Sequence, residues 1–195
     1  MKHHTSTIAS TCFYHLPRLR QLRDKVSQET MKQLVTSLVL SRLDYCNVLV
    51  GPPSSTIAPL QRVQNAAARL ILRLDCLSRI ISALREFHWL SVKYRIQFKL
   101  TVCMHQVITQ WCPSYVADLV SDPQRRSLRS ASTCAAVTRR TRTELGRRAF
   151  AVCFPDVWNS LPPFLRTRTS HPALRCSLKT RFYNLAFLSW FYWLM

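Results

Sequence analysis

The side chains with the clearest chemical potential in this chain are arginines, concentrated between residues 125 and 148. That segment holds eight arginines and one acidic residue, Glu144. A guanidinium binds phosphate through two parallel hydrogen bonds and also stacks on bases, and interleaved serine and threonine hydroxyls can add phosphate contacts. The segment therefore predicts binding of RNA or single-stranded DNA. The candidate binding residues are Arg125, Arg126, Arg129, Arg139, Arg140, Arg142, Arg147 and Arg148.

The predicted mode of binding is non-specific, because the segment contains no aromatic side chain on which a base could stack. The whole chain supports a polyanionic partner, with 28 Lys and Arg against 9 Asp and Glu and a formal net charge of +19. Two other interpretations remain open. The segment is equally compatible with a solvated flexible loop, and a protein fragment can display a basic surface that other parts of a longer parent covered.

Catalysis on nucleic acid is not expected. Reverse transcription needs carboxylates that hold two Mg²⁺ ions, including an adjacent pair of aspartates on a hairpin. No two of the six aspartates in this sequence are adjacent. The Asp44-Tyr45 pair falls inside a helical pattern of apolar residues, which excludes it as a disguised form of that motif.

Metal and thiol chemistry have little support in the sequence. Cys103, His105 and Cys112 could offer three ligands, but structural zinc sites use paired ligands at short spacing, and no such pair occurs among the 8 cysteines. We expect no metal and no cofactor. We expect reduced, mostly buried thiols, with Cys103 on the apolar face of a helix. A Cys/His nucleophile pairing stays open, although no cysteine is accompanied by an acidic orienting residue or a glycine-bearing turn.

The N-terminus lacks the apolar core of a secretory signal, so the predicted location is intracellular, cytoplasmic or nuclear. The tail at 184–195 is strongly apolar but much shorter than the ~20 residues of a membrane span. Membrane contact through this tail is not favoured. A protein partner at exposed apolar surface is a further possibility.

Two helices joined at Gly51-Pro52-Pro53 are the elements around which we expect the chain to fold. Apolar residues recur every three or four positions over 31–49 and again over 57–74, so each helix has one face to bury. Glycine can end a helix in the left-handed conformation, and proline cannot continue one. The two faces are predicted to meet in an antiparallel hairpin, with Leu38 and Val63 in the same core.

The remaining chain also favours helices, and the 2 glycines argue against tight β-hairpins and phosphate-binding loops. The predicted fold is all-α: the hairpin extended into a small irregular bundle, then an Arg-rich loop and a short C-terminal helical piece. The aromatic groups at 87–89 and at 154–158 are assigned to the core. The predicted division is a disordered start at 1–10, a helical domain at 11–120, a basic linker at 121–146, a C-terminal helical piece at 147–188 and an apolar tail at 189–195.

Several blocks of this sequence resemble the C-terminal region of LINE-type, non-LTR retrotransposon polyproteins of the jockey and chicken-repeat group. The blocks are collinear and cover nearly the whole chain until about Phe182. They read SRLDYCN at 41–47, LQRVQNAAARLI at 60–71, LREFHWLSVKYRIQFKL at 84–100, CPSYVADL at 112–119, RSLRS at 126–130 and RRTRTELGRRAFAVCFPDVWNSLP at 139–162.

In that family the corresponding region lies downstream of the reverse-transcriptase palm. The resemblance therefore implies a thumb-side remnant of an RNA-directed DNA polymerase, without the palm, fingers and endonuclease that carry its chemistry. A helical protein-interaction module, or a translated transposon fragment without a selected function, is the alternative.

Overall fold

The computed structural model describes residues 2–46, 54–75, 77–120 and 134–187. Across these residues the fold is all-α, which confirms the predicted class, and none of them lies in a β-strand. The helices are α1 (Lys2–Leu22), α2 (Gln28–Val35), a π-helical turn (Thr36–Leu40), α3 (Ser41–Cys46), α4 (Ser54–Leu72), α5 (Ile80–Glu86), α6 (Val92–Ile108), α7 (Ser114–Val120), α8 (Glu144–Arg147), α9 (Phe150–Asn159), α10 (Pro163–Arg166) and α11 (His171–Phe187).

The chain divides into two compact units, Met1–Arg95 with Leu185–Met195, and Ile96–Asn184. This division differs from the predicted one, which placed the end of the first domain at residue 120. The boundary falls inside α6, because the greater part of that helix belongs with the C-terminal elements. The residues 121–133 of the predicted linker and the tail at 188–195 lie outside the described part of the chain.

The first unit is built on α1 and α4, which share its most extensive helix contact. Ala67 and Ala68 of α4 are fully buried, and their small side chains allow a neighbouring helix to approach closely. The predicted hairpin therefore becomes one part of a larger packing, in which α2, the π-helical turn and α3 also contact α1.

The expectation that residues 1–10 are disordered is wrong, because α1 begins at Lys2. Thr5, Ala9, Cys12, Leu16 and Leu19 are all buried, and their spacing of four and three residues defines one helix face. The apolar pattern of the sequence does not reveal the start of this face, because its first two members are a threonine and an alanine rather than large apolar residues. The helix also continues through the exposed Pro17.

The second helical segment changes its geometry at the π-helical turn. The Ser41 N–H donates to the Thr36 carbonyl, an i to i+5 bond that puts more residues in each turn than an α-helix has. Residues spaced by four then stay in line, so Val35, Val39 and Leu43 are buried, whereas Leu38 is only half-buried. The prediction that Leu38 shares a core with Val63 is therefore wrong, although Val63 itself is fully buried.

Glutamines on α4 hold the start of α6. The Gln61 Oε1 accepts from the Val92 N–H at 2.9 Å, satisfying one of the amides that a helix start leaves unpaired, and the Gln64 amide donates to the Leu90 carbonyl at 2.8 Å. A buried glutamine needs such partners, because an unpaired amide is expensive to bury. An ion pair between Arg95 and Asp44 adds a second link to α6.

The second unit packs α7 and α8 against α9. Its core includes Trp158, Leu165, Leu174 and Leu178, all of them at most 1% exposed. Phe154 and Trp158 are buried, as predicted, whereas Phe87 and Trp89 of the first unit are half-buried and His88 is exposed. Pro155 lies inside α9 without ending it. Over the described ranges, no helix combines the length and apolarity needed to cross a membrane.

Candidate nucleic-acid interface

The structure describes five of the eight predicted binding arginines, since Arg125, Arg126 and Arg129 lie outside the described residues. Residues 135–143 are neither helix nor strand and lead into α8. Four of the five arginines are exposed, and the fifth, after α8, is half-buried. They are Arg139, Arg140, Arg142 and Arg147, followed by Arg148.

Two of these arginines are available for a phosphate group. Arg140 and Arg142 are exposed, and neither guanidinium has a hydrogen-bond or ion-pair partner within residues 134–187. A free guanidinium in water keeps all of its donors for an incoming phosphate.

The chain before these arginines is anchored to the C-terminal end of α9. The Asn159 side chain accepts from the Ala136 N–H at 2.9 Å and donates to the Ala136 carbonyl at 2.8 Å. Next to it, the buried Trp158 Nε1 donates to the Cys134 carbonyl at 2.8 Å. We call these three bonds the α9 clamp. These bonds give hydrogen-bond partners to backbone groups at residues 134 and 136, which lie outside any helix or strand and so have no partners from regular secondary structure.

The chain after Arg142 leads into α8, which contacts α9 and contains Gly146. The Gly146 N–H donates to the Thr143 Oγ1 at 3.0 Å, and a Cβ at this position would lie 3.0 Å from the Thr141 Cβ. Because that separation is shorter than van der Waals contact, a side chain at position 146 would force Thr141 to move. Anchors on both sides thus constrain the stretch that carries the free arginines.

Four aromatic rings form a continuous series in the same unit. The Trp158 and His105 ring centroids are 6.3 Å apart, those of His105 and His171 are 5.3 Å apart, and those of His171 and Trp111 are 6.2 Å apart. The series starts in the core at Trp158 and ends at Trp111, which is 73% exposed. An exposed indole ring offers a stacking face to an unpaired base.

Hydrogen bonds fix the arrangement of the two histidines. His105 Nε2 lies 3.0 Å from the Arg168 carbonyl, which can only accept, so Nε2 carries the proton in the neutral ring. His105 Nδ1 is then the acceptor, and His171 Nδ1 donates to it across 3.2 Å. Burial lowers the pKa of His105, the Arg168 carbonyl raises it in part, and His171 lowers it further. His105 is therefore a neutral, structural histidine near pH 7.

Exposed basic residues on α11 and just before it belong to the same unit as the ring series. Arg168 precedes α11, and Arg175 and Lys179 lie on its exposed surface. The sequence has no acidic residue after Asp156 to neutralise them. These residues form no charge run in the sequence, because Arg175 and Lys179 are separated by other residues along a helix. Trp111 follows the end of α6, where no periodic pattern marks it.

The cysteines do not form the predicted arrangement. Cys12 and Cys153 are buried, but Cys103, Cys134 and Cys176 are exposed, so the expectation of mostly buried thiols is wrong for the described cysteines. The prediction that Cys103 lies on the buried face of α6 is wrong, because Met104 and His105 occupy that face.

Thiolate chemistry has no support at the two cysteines whose pKa is shifted. Burial, with a smaller contribution from Asp156, raises the pKa of the Cys153 thiol to about 11. Cys103 is exposed as a residue, but neighbouring atoms desolvate its sulfur and raise the pKa of the thiol, although Lys99 lowers it in part. Both thiols are therefore protonated at neutral pH, and a thiol is a poor nucleophile and metal ligand. Among the described residues, no group of three or more His, Cys, Asp or Glu side chains is placed to hold a metal ion.

Comparisons with protein-family models, with curated proteins and with solved structures found no match to this chain.

Proposed function

We propose that the protein is a non-catalytic module that binds RNA or single-stranded DNA through the phosphate backbone. The observation that carries this proposal is the pair of exposed guanidiniums at Arg140 and Arg142, which have no partner among the described residues. The segment that carries them is bonded to α9 at Ala136 and leads into α8, which contacts α9. Anchoring lowers the conformational entropy that the segment loses when it binds, which is the main benefit of a preorganised site.

The proposed ligand is single-stranded. Arginines along an irregular segment can follow a flexible backbone. In the same unit, the exposed Trp111 offers a stacking face, and the exposed Arg168 and Arg175 add positive charge. Stacking is tolerant of base identity, so we expect affinity without sequence preference.

The resemblance to the post-palm region of LINE-type reverse transcriptases supports the same proposal. It implies that this chain derives from the thumb-side part of an RNA-directed DNA polymerase, where a parent protein would hold template RNA and target DNA beside its palm. We therefore propose a retrotransposon-derived, reverse-transcriptase-like origin, and no catalytic activity in this chain.

A salt titration tests the function. We expect fluorescence anisotropy with a labelled 20-nucleotide RNA to show log K falling with log salt at a slope of roughly −3 to −4, if about four to six phosphates are contacted. Replacing Arg139, Arg140 and Arg142 with glutamine removes up to three contacts and reduces the slope by about 2, equally for RNAs of different sequence.

The matched control removes the same charge from the first unit, by substituting glutamine at the exposed Arg42, Arg62 and Arg79. We expect this control to retain most of the slope. Equal losses in the two triple variants would show that net charge alone drives binding, and would contradict an interface at 139–148.

A protein-interaction role is the second candidate, and exposed side chains of the first unit favour it. Tyr45 is 78% exposed and Leu77 is 94% exposed, and aromatic side chains such as that of Tyr45 are enriched at protein interfaces. If salt has no effect on RNA binding while the protein self-associates in sedimentation velocity, this candidate replaces the first.

A further inference from the structure

The first unit contains a cleft of about 620 Å³ between α1 and the C-terminal half of α4. Its size falls within the range of small-molecule sites, about 300–1,000 Å³. Buried leucines form part of its apolar lining, namely Leu16 at 8% exposure and Leu70 at 7% exposure. At its edge the Phe13 ring is 43% exposed. The cleft therefore offers an apolar surface that a ring or an alkyl chain can cover.

Three guanidiniums line the same cleft, those of Arg20, Arg23 and Arg69, against one carboxylate, that of Asp75. The Nε atoms of Arg23 and Arg69 are buried and have no hydrogen-bond partner within the described residues. A buried donor without a partner is unfavourable, so an acceptor that enters the cleft gains from meeting it.

Neighbouring carboxylates offset only part of the positive charge of this cluster. The Asp24 carboxylate lies 4.0 Å from the Arg23 Nε, but it lies closer, at 3.2 Å, to Arg73, which also donates to the Arg23 carbonyl at 3.3 Å. Asp24 thus pairs with Arg23 and, more closely, with Arg73, which lies outside the cleft lining. Four guanidiniums, those of Arg20, Arg23, Arg69 and Arg73, against the two carboxylates of Asp24 and Asp75 leave an excess of two positive charges. This excess favours a ligand that carries more than one negative charge, which a phosphate monoester does and a simple carboxylic acid does not.

We propose that this cleft binds an organic phosphate, with the phosphate on the three arginines and an apolar or aromatic body on Phe13, Leu16 and Leu70. The site is separate from the nucleic-acid interface proposed above, because it lies in the other unit and uses none of the arginines at 125–148. Two kinds of compound share this chemistry, a mononucleotide and an alkyl phosphate.

Isothermal titration calorimetry on the full chain tests the proposal with three probes: AMP, hexyl phosphate and inorganic phosphate. We expect saturable binding of AMP, hexyl phosphate or both, at least tenfold tighter than that of inorganic phosphate, because the headgroup alone does not use the apolar surface. The tighter of the two identifies the body that the cleft accepts. Absence of saturable binding by both organic phosphates overturns the proposal.

Matched variants locate the binding. Arg20→Gln and Arg69→Gln are each expected to weaken it at least tenfold, whereas Arg62→Gln, on an exposed position of α4 outside the cleft, leaves it unchanged. Thermal melts check that the variants are folded. If Arg69→Gln does not fold, Arg20→Gln still tests the proposal, because Arg20 is at an exposed position. The glutamine triple at Arg139, Arg140 and Arg142 is expected to bind the organic phosphate normally. A loss in that triple variant, or an equal loss in Arg62→Gln, contradicts the assignment to this cleft.

Discussion

The α9 clamp makes a prediction that links stability to binding. In Asn159→Ala, the Ala136 N–H and carbonyl lose the side-chain amide that bonds to both, at 2.9 and 2.8 Å. A typical intramolecular hydrogen bond contributes about 0.5–1.5 kcal/mol net, so two of them amount to about 1–3 kcal/mol of local stability. The buried Trp158 keeps its own bond to the Cys134 carbonyl, so we expect the segment to loosen while the core stays intact.

Loosening is expected to weaken nucleic-acid binding without removing any arginine. The freed segment must be ordered again when it binds, and the free energy of that ordering is subtracted from the binding energy. Since 1.4 kcal/mol corresponds to a factor of ten in affinity, a loss of about 1–3 kcal/mol weakens RNA binding by roughly 5- to 150-fold.

Two measurements check this reasoning. Hydrogen exchange is expected to speed up at the Ala136 amide in Asn159→Ala but not in Asn184→Ala, which changes an exposed asparagine of α11. Anisotropy with the same RNA is expected to show weaker binding by the first variant only. Faster exchange at Ala136 together with unchanged affinity would refute the idea that the clamp positions the arginines.

Three further predictions follow from the described geometry. Leu43 is 1% exposed, and Leu43→Ala is expected to destabilise the first unit by about 2–5 kcal/mol. Leu38 is half-buried, and Leu38→Ala is expected to lower the stability by less than half as much. Equal melting temperatures of the two variants would contradict the π-helical register. The pKa of His105 is lowered in the folded state, so its contribution to stability is complete above the ordinary pKa of about 6.5 and is lost as the pH falls below that value. We therefore expect the melting temperature to fall between pH 7.5 and pH 5.5. The His105→Gln variant is expected to lose this pH dependence. Purified protein with primed template, nucleotides and Mg²⁺ is expected to incorporate no nucleotide above a no-enzyme control, because the sequence lacks adjacent catalytic aspartates.

The fold class and most helix positions follow from the sequence because they depend on local periodicity. α6 is an example, since Val92, Ile96, Leu100 and Val107 are buried as their spacing predicts. Exceptions arise where the period itself changes. The register at Leu38 depends on whether a turn closes with an i to i+4 or an i to i+5 bond, and the apolar pattern does not encode that choice.

The sequence predicts which residues could bind phosphate in the candidate interface, but it does not predict the contacts that hold the segment in place. Charge and residue type identified the arginines, because phosphate binding depends on them directly. The clamp depends on contacts between residues more than 20 positions apart, such as Asn159 with Ala136. No local pattern reports such a pair, and a single asparagine at a helix end is as typical of a cap as of a clamp.

The clamp also bears on the choice between a binding segment and a solvated loop, which composition alone left open. A loop whose only role is to remain soluble gains nothing from burying a tryptophan against its backbone or from excluding a side chain at Gly146. Contacts of this kind restrict the loop on both sides of Arg140 and Arg142, and neither guanidinium has a partner among the residues that the structure describes. Restricted backbone with unrestricted donors is the arrangement that lowers the entropic cost of binding a phosphate chain, and it is the physical reason for favouring the binding segment.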